Sequence, residues 1–238
     1  MNAKNLMVQG LRLVCLITAA FSAGCHTVGY DKSDATAQSY KAAAAEVQTQ
    51  SRALETTMAA LQDLLNKPAG DLRPQFEWYK ISLDRLVDAA ERTEKTGHAM
   101  RKKGADYLET WNRELATMTY EYVRKSSETR RVEVGQDLDA INQRYEESAN
   151  VVGPLIAYLE DIRRALSTDL TPGGLAAVKG IVTNAQENAG KVQAVLASLS
   201  ADLTSSGVKL SSMAMQPAVA DQASGEKSGE ESVVKTTP

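Results

Sequence analysis

Residues 134–166 read VGQDLDAINQRYEESANVVGPLIAYLEDIRRAL. Apolar or small residues recur there at Val134, Leu138, Ile141, Tyr145, Ser148, Val152, Leu155, Leu159, Ile162 and Leu166, in alternating steps of four and three. On a helix of 3.6 residues per turn, these steps lay one narrow stripe along one face and leave Glu, Asp, Gln, Asn and Arg on the others. A stripe that narrow demands partner helices. The series crosses Gly153-Pro154 without changing phase, which predicts one helix bent at its proline rather than two elements.

Similar seams flank this one. Downstream, Ser167-Thr168-Asp169-Leu170-Thr171-Pro172-Gly173-Gly174 reads as a turn, with Thr171 as N-cap and Pro172 as the first helical residue. A seam follows from Leu175 through Val178, Val182, Ala185, Ala189, Val192, Leu196, Leu199, Leu203, Ser206 and Leu210 to Met213. Upstream, Tyr40, Ala44, Val47, Ser51, Leu54, Met58, Leu61 and Leu65 form another, which stops at Asn66-Lys67-Pro68-Ala69-Gly70. Asp71 then offers an N-cap, and Pro74 falls in the first turn. The next seam runs Leu72, Phe76, Tyr79, Leu83, Leu86, Ala90, Thr93, Gly97, Met100 and Gly104. After a one-residue stutter it continues through Leu108, Trp111, Leu115, Met118 and Tyr122. Gly97 and Gly104 on this seam permit close helix approach while weakening the helix by about 1 kcal/mol each. The next break is expected near Lys125-Ser126-Ser127-Glu128, where two serines before Glu suit a cap. That makes the second helix the longest, about 80 Å if straight.

The composition agrees. Aromatics are 5% of the chain and Phe appears twice, while 24% of residues are charged. That suits long packed helices and fits poorly with a sandwich or a doubly wound sheet. The expected fold is therefore all-α, an elongated antiparallel up-down-up-down bundle or coiled coil of about four long helices over 33–215. Glu or Asp stands four residues before Arg or Lys at Asp88/Arg92, Glu91/Lys95, Glu109/Arg113 and Glu160/Arg164, the favourable orientation. Residues 216–238 are rich in Ser, Gly, Glu and Lys and read as a disordered tail. Net charge is −3, which excludes a basic nucleic-acid-binding protein.

The first 24 residues have the layout of a secretion signal: Lys4 and Arg12, an apolar run from Leu13 to Phe21, then Ser22-Ala23-Gly24. The run is too short to span about 30 Å of hydrocarbon. Lys4 and Arg12 are the charged residues of this segment, so its removal takes the net charge from −3 to −5. Of the two cysteines, Cys15 leaves with the signal and Cys25 remains, and an odd thiol in an exported protein needs a reason. Ala23-Gly24-Cys25 resembles a bacterial lipobox, with Ser22 where that pattern usually has Leu, Val or Ile. The resemblance implies acylation of Cys25 and a short tether over 25–32; ordinary cleavage with a free thiol is the alternative. His26 stands where Asp commonly marks inner-membrane retention in Gram-negative lipoproteins, so the same resemblance implies the outer membrane, facing the periplasm.

From about Tyr30 to Met213 the chain resembles a family of bacterial envelope lipoproteins known as a domain of unknown function and described as coiled coil. The resemblance lies in Cys25, in Leu83-Asp84-Arg85-Leu86-Val87-Asp88-Ala89-Ala90-Glu91, in Tyr107-Leu108-Glu109-Thr110-Trp111-Asn112-Arg113-Glu114-Leu115, and in the run from Pro154-Leu155 to Leu170. It implies an extended all-helical fold and supplies no activity.

No catalytic constellation is legible. A di-metal bundle needs paired Glu-x-x-His motifs, whereas His98 follows Glu94 by four positions and has no second motif to face. Zinc would need more His or Cys. There is no Gly-x-Ser-x-Gly elbow, and Gly173-Gly174 lacks the Lys-Ser/Thr of a phosphate loop. No enzyme, cofactor or metal is expected. Phe76 and Tyr79 fit the seam, and Trp78, off it, is free to meet a partner. Arg124, Lys125, Arg130 and Arg131, with Tyr120 and Tyr122, form a candidate contact for an anionic lipid surface or cell-wall polymer; a solvated charged turn is the plainer reading. The expected role is a lipid-anchored envelope scaffold, spacer or adaptor with an envelope protein as partner. The alternative is a module presenting an open apolar seam to a protein or lipid.

Overall fold

The computed structural model describes residues 29–212 apart from 67 and 69. Cys25, the signal-like segment, Met213 and the tail lie outside the described residues. Four helices account for nearly all of the rest: α1 Gly29–Asn66, α2 Arg73–Thr117, α3 Glu121–Thr168 and α4 Pro172–Leu210. No strand occurs among the described residues. None of these helices is long and apolar enough to cross a membrane.

Each helix packs on two others in a ring, α1 on α2 and α4, and α3 on α2 and α4. The side-chain links run antiparallel throughout. Thr57 Oγ1 donates to the Ser82 carbonyl at 2.9 Å and Thr36 Oγ1 to that of Lys103 at 3.3 Å, joining α1 to α2. Tyr79 Oη donates to the Leu159 carbonyl at 2.7 Å, and Tyr145 Oη to the Thr93 carbonyl at 3.2 Å. These reciprocal tyrosines fasten α2 to α3 at two levels. Arg144 meets Asp202 between α3 and α4, and Ser33 Oγ donates to the Leu210 carbonyl between α1 and α4. The start of α1, the end of α4 and the α2–α3 turn therefore share one end of the bundle. The other two turns share the opposite end.

The seam positions form the core. All ten residues of the 134–166 series are buried, as is every described member of the 175–213 series. Because the four seams close on one another inside a single chain, the open-seam alternative is not what the described residues adopt. Gly97 is needed for this closure: a Cβ there would lie 2.5 Å from Cε1 of the buried Tyr145 ring. Gly207 does the same for α4, where a Cβ would stand 3.3 Å from the Ala37 carbonyl oxygen on α1.

α1 stops at Asn66, where the sequence breaks, and two further expectations hold. Thr171 caps α4, its Oγ1 accepting from the Gly174 N–H at 3.2 Å, and α3 runs unbroken through Pro154. Others differ. α1 begins at Gly29, inside the stretch read as tether. Leu72 rather than Asp71 is the residue preceding α2, though the Asp71 carboxylate still accepts from the Arg73 N–H at 3.1 Å. The α2–α3 turn falls at 118–120, not near Ser126, so α3 and not α2 is the longest helix. Thr117 Oγ1 bonds back to the Glu114 carbonyl at 2.8 Å, as Thr110 and Thr129 do to carbonyls within the continuing helices, so this bond does not by itself account for the stop. Ser127, expected near a cap, sits inside α3 and accepts from Trp111 Nε1 at 2.9 Å. Tyr122, expected on the seam, is 87% exposed: among the described residues neither α1 nor α4 reaches its level. Among the expected helix pairs, Glu109–Arg113 closes at 3.8 Å. Arg92 instead reaches Glu46 on α1, and Glu160 takes Arg163.

Candidate functional site

The end that carries the start of α1 is the more unusual one. Gly29, Tyr30, Trp111, Arg130, Val134 and Leu210 gather at a single level there. α2 continues for about seven residues beyond it before turning, so the α2–α3 tip projects roughly 10 Å past the other two helices. Among the described residues no third or fourth helix covers the tip, and it exposes the seam residue Tyr122 together with Tyr120, at 79%, and Val123. Residues 112–131 hold five basic against three acidic side chains, in a chain whose net charge is −3.

The four basic candidates all lie on α3 but do not form one free cationic face. Arg124 and Lys125 both pair with Glu121, at 2.7 and 3.3 Å, and Arg124 also approaches Glu128 at 3.6 Å. Hydrogen bonds from Arg124 and Lys125 hold the Glu121 carboxyl below its usual range. Glu121 also sits in the first turn of α3, where the helix dipole favours an acid. Arg130 pairs with Glu133 at 3.0 Å. Arg131 is half-buried, with its Nε lacking a hydrogen-bond partner. All these pairs are exposed, so water screens them and leaves their charges available to a surface.

His98 lies on the exposed face of α2, with Glu94 3.7 Å from its Nε2 and Arg101 2.8 Å from its Nδ1. No group of three His, Cys, Asp or Glu side chains able to hold a metal occurs among the described residues. Trp78 is 44% exposed, with the Arg85 guanidinium 5.7 Å from its ring centre. Phe76 and Tyr79 are buried.

Two further concavities lie elsewhere on the described residues. One, of about 870 Å³, lies at the opposite end between the two turns and is lined by Leu65, Pro68, Leu72, Leu170, Pro172 and Leu175 among others. The second is a lateral groove of about 440 Å³ between α2 and α3, floored by Gln50 and Thr93. The heptad pattern did not signal it: Gln50 falls between the Val47 and Leu54 seam positions and reads as an ordinary polar residue of α1.

Residues 21–213 match the family model described as "Protein of unknown function (DUF2959)". No curated protein and no solved structure matches the chain.

Proposed function

Because the chain belongs to this family of proteins of unknown function, which brings no activity with it, we propose from the geometry that it is a non-catalytic, lipid-anchored bundle of the bacterial envelope. It serves there as a spacer or adaptor. Cys25 is the lipid-bearing residue, and the α2–α3 tip rests on the anionic surface of the same membrane, with the outer membrane as its site. The observation that carries this reading is the coincidence of three features at one end: the α1 start, the projecting tip and its excess of basic side chains.

The distances suit the arrangement. Four residues separate Cys25 from Gly29, at most about 14 Å of extended chain. The tip overshoots Gly29 by roughly 10 Å, so an acylated Cys25 and the tip reach the same plane. Tyr120 and Tyr122 carry an apolar ring and a polar hydroxyl, the combination favoured at a membrane interface. Each basic residue near an anionic surface adds up to about 1 kcal/mol. Several acyl chains at about 0.8 kcal/mol per buried methylene supply the anchoring itself. The opposite end, with its 870 Å³ concavity, then faces away from the membrane and is the place for an envelope partner.

Fatty-acid labelling in cells tests the anchor. The wild type should incorporate label and fractionate with membranes, and Cys25→Ser should lose both. An unlabelled, freely soluble wild type after export would overturn the anchor. For the tip, the unlipidated Cys25→Ser protein should bind anionic vesicles weakly and in a salt-sensitive way. Changing Arg124, Lys125, Arg130 and Arg131 to Gln should abolish that binding. No binding by the parent at low salt refutes the membrane-facing tip.

A further inference from the structure

Half-way along the bundle the ring of helices opens between α2 and α3. Ala90 and Thr93 on one side face Ala149 and Gly153 on the other, and side chains this small leave the gap unfilled. The groove runs from Val87 to Arg101 along α2, about 20 Å at 1.5 Å per residue. With a volume of about 440 Å³ over that length, it is a long, narrow groove suited to a slender, linear ligand. Val87, Ala90, Val152 and Ile156 make the walls apolar.

The floor is polar and unsatisfied. Gln50 reaches across from α1 and is 3% exposed, and its Oε1 has no hydrogen-bond partner. Thr93 is 5% exposed, with its Oγ1 equally unpaired, although its carbonyl takes the Tyr145 hydroxyl. Buried polar groups are normally paired, so an amide oxygen and a hydroxyl oxygen left open on one floor are met by a group that donates to both. At the mouth stand Glu91, Glu94 and Glu146. Arg101 is the one guanidinium among these lining residues; it bonds His98 and lies 5.8 Å from the Tyr145 ring centre, so three carboxylates stand against one cation.

We propose that this groove binds a linear aliphatic polyamine. Its methylene runs lie along the apolar walls. An internal N–H group donates to Gln50 Oε1 and Thr93 Oγ1, and the terminal ammonium groups meet the glutamates at the mouth. A carboxylate-headed chain meets three carboxylates against the single Arg101 guanidinium, and a plain hydrocarbon leaves both floor oxygens unpaired.

Calorimetric titration of the purified full-length protein with spermine tests this, with decanoate and magnesium chloride as the other titrants. Saturable one-to-one binding of spermine is expected, with neither decanoate nor magnesium reproducing it. Gln50→Leu should weaken spermine binding at least tenfold. Ala149→Phe should do the same by filling the groove from an exposed α3 position, with an unchanged circular dichroism spectrum showing that the bundle is intact. In the wild type, spermine should shift the Gln50 side-chain amide resonances. The proposal is overturned by the absence of saturable binding at millimolar spermine, or by decanoate binding as tightly. It is also overturned by equal affinity in the wild type and both variants, which is ion condensation on an acidic surface.

Discussion

Replacing Gly97 by alanine sets two opposed effects against each other. In a helix interior, alanine is favoured over glycine by about 0.8–1.0 kcal/mol. At Gly97, however, the new Cβ falls 2.5, 2.9 and 3.0 Å from three atoms of the Tyr145 ring. That ring is 5% exposed, is held by its hydroxyl on the Thr93 carbonyl, and has Arg101 on its face. It cannot move without losing the hydrogen bond, worth about 0.5–1.5 kcal/mol, on top of an overpacking cost of about 1–3 kcal/mol. The net expectation is a loss of roughly 2 kcal/mol. For a protein of this size that lowers the thermal midpoint by about 4–8 °C. Gly190→Ala is the matched control, because nothing lies within 4 Å of a Cβ at that exposed α4 position; it should gain about 1 kcal/mol. Urea unfolding followed by circular dichroism measures both. Tyr145→Leu should largely remove the penalty of Gly97→Ala in a double-mutant cycle, whereas Tyr145→Phe, which keeps the ring, should not. Should Gly97→Ala stabilise as Gly190→Ala does, the reasoning that the glycine exists to seat Tyr145 is wrong.

Other consequences are equally direct. Leu196 is 1% exposed, so Leu196→Ala should cost about 2–5 kcal/mol; an unchanged thermal midpoint would mean that the α4 seam is open in solution. Thr171→Ala should cost about 1 kcal/mol through loss of the cap on Gly174, and a loss below 0.3 kcal/mol would show that Pro172 and the turn suffice. Burial raises the phenol of Tyr145 to about 12 and raises those of Tyr40 and Tyr79 as well. The folded state therefore holds these protons more tightly than the unfolded chain, so their contribution is complete below about pH 10. It falls by up to 1.4 kcal/mol per tyrosine for each unit above that. Urea midpoints should be flat from pH 8 to 10 and drop at pH 11, and no drop at pH 11 contradicts the burial of these hydroxyls.

The heptad seams carried the architecture into the sequence because each buried position is a single side chain at a fixed step, as the 134–166 run shows in full. Turns were legible where a cap or a proline marks them, as at Thr171-Pro172, and not where neither does, as at 118–120. Nothing in Thr117-Met118-Thr119-Tyr120 is a glycine or proline, whereas Ser126-Ser127-Glu128 has the form of a cap without its role. The basic tip was visible as a cluster, but its pairing was not. Glu121 collects both Arg124 and Lys125 only because α3 starts at that residue. The groove was out of reach. It depends on Gln50 of α1 lying under a gap between two other helices, and no periodicity along one chain segment reports such a meeting.

The orientation of the bundle on its membrane is best measured by the depth of its two ends. On the proposed reading Cys25 is acylated and Cys15 leaves with the signal, so a cysteine added to that form would be its one free thiol. A fluorophore placed through Tyr122→Cys at the tip is compared with one placed through Gly70→Cys at the opposite end, about 65 Å away along α2. The probe is a headgroup-attached quencher in anionic vesicles. The account predicts strong quenching at 122 and none at 70. Equal quenching at both positions, or quenching at 70 alone, would contradict a bundle that stands on the membrane by its lipid-bearing end and its α2–α3 tip.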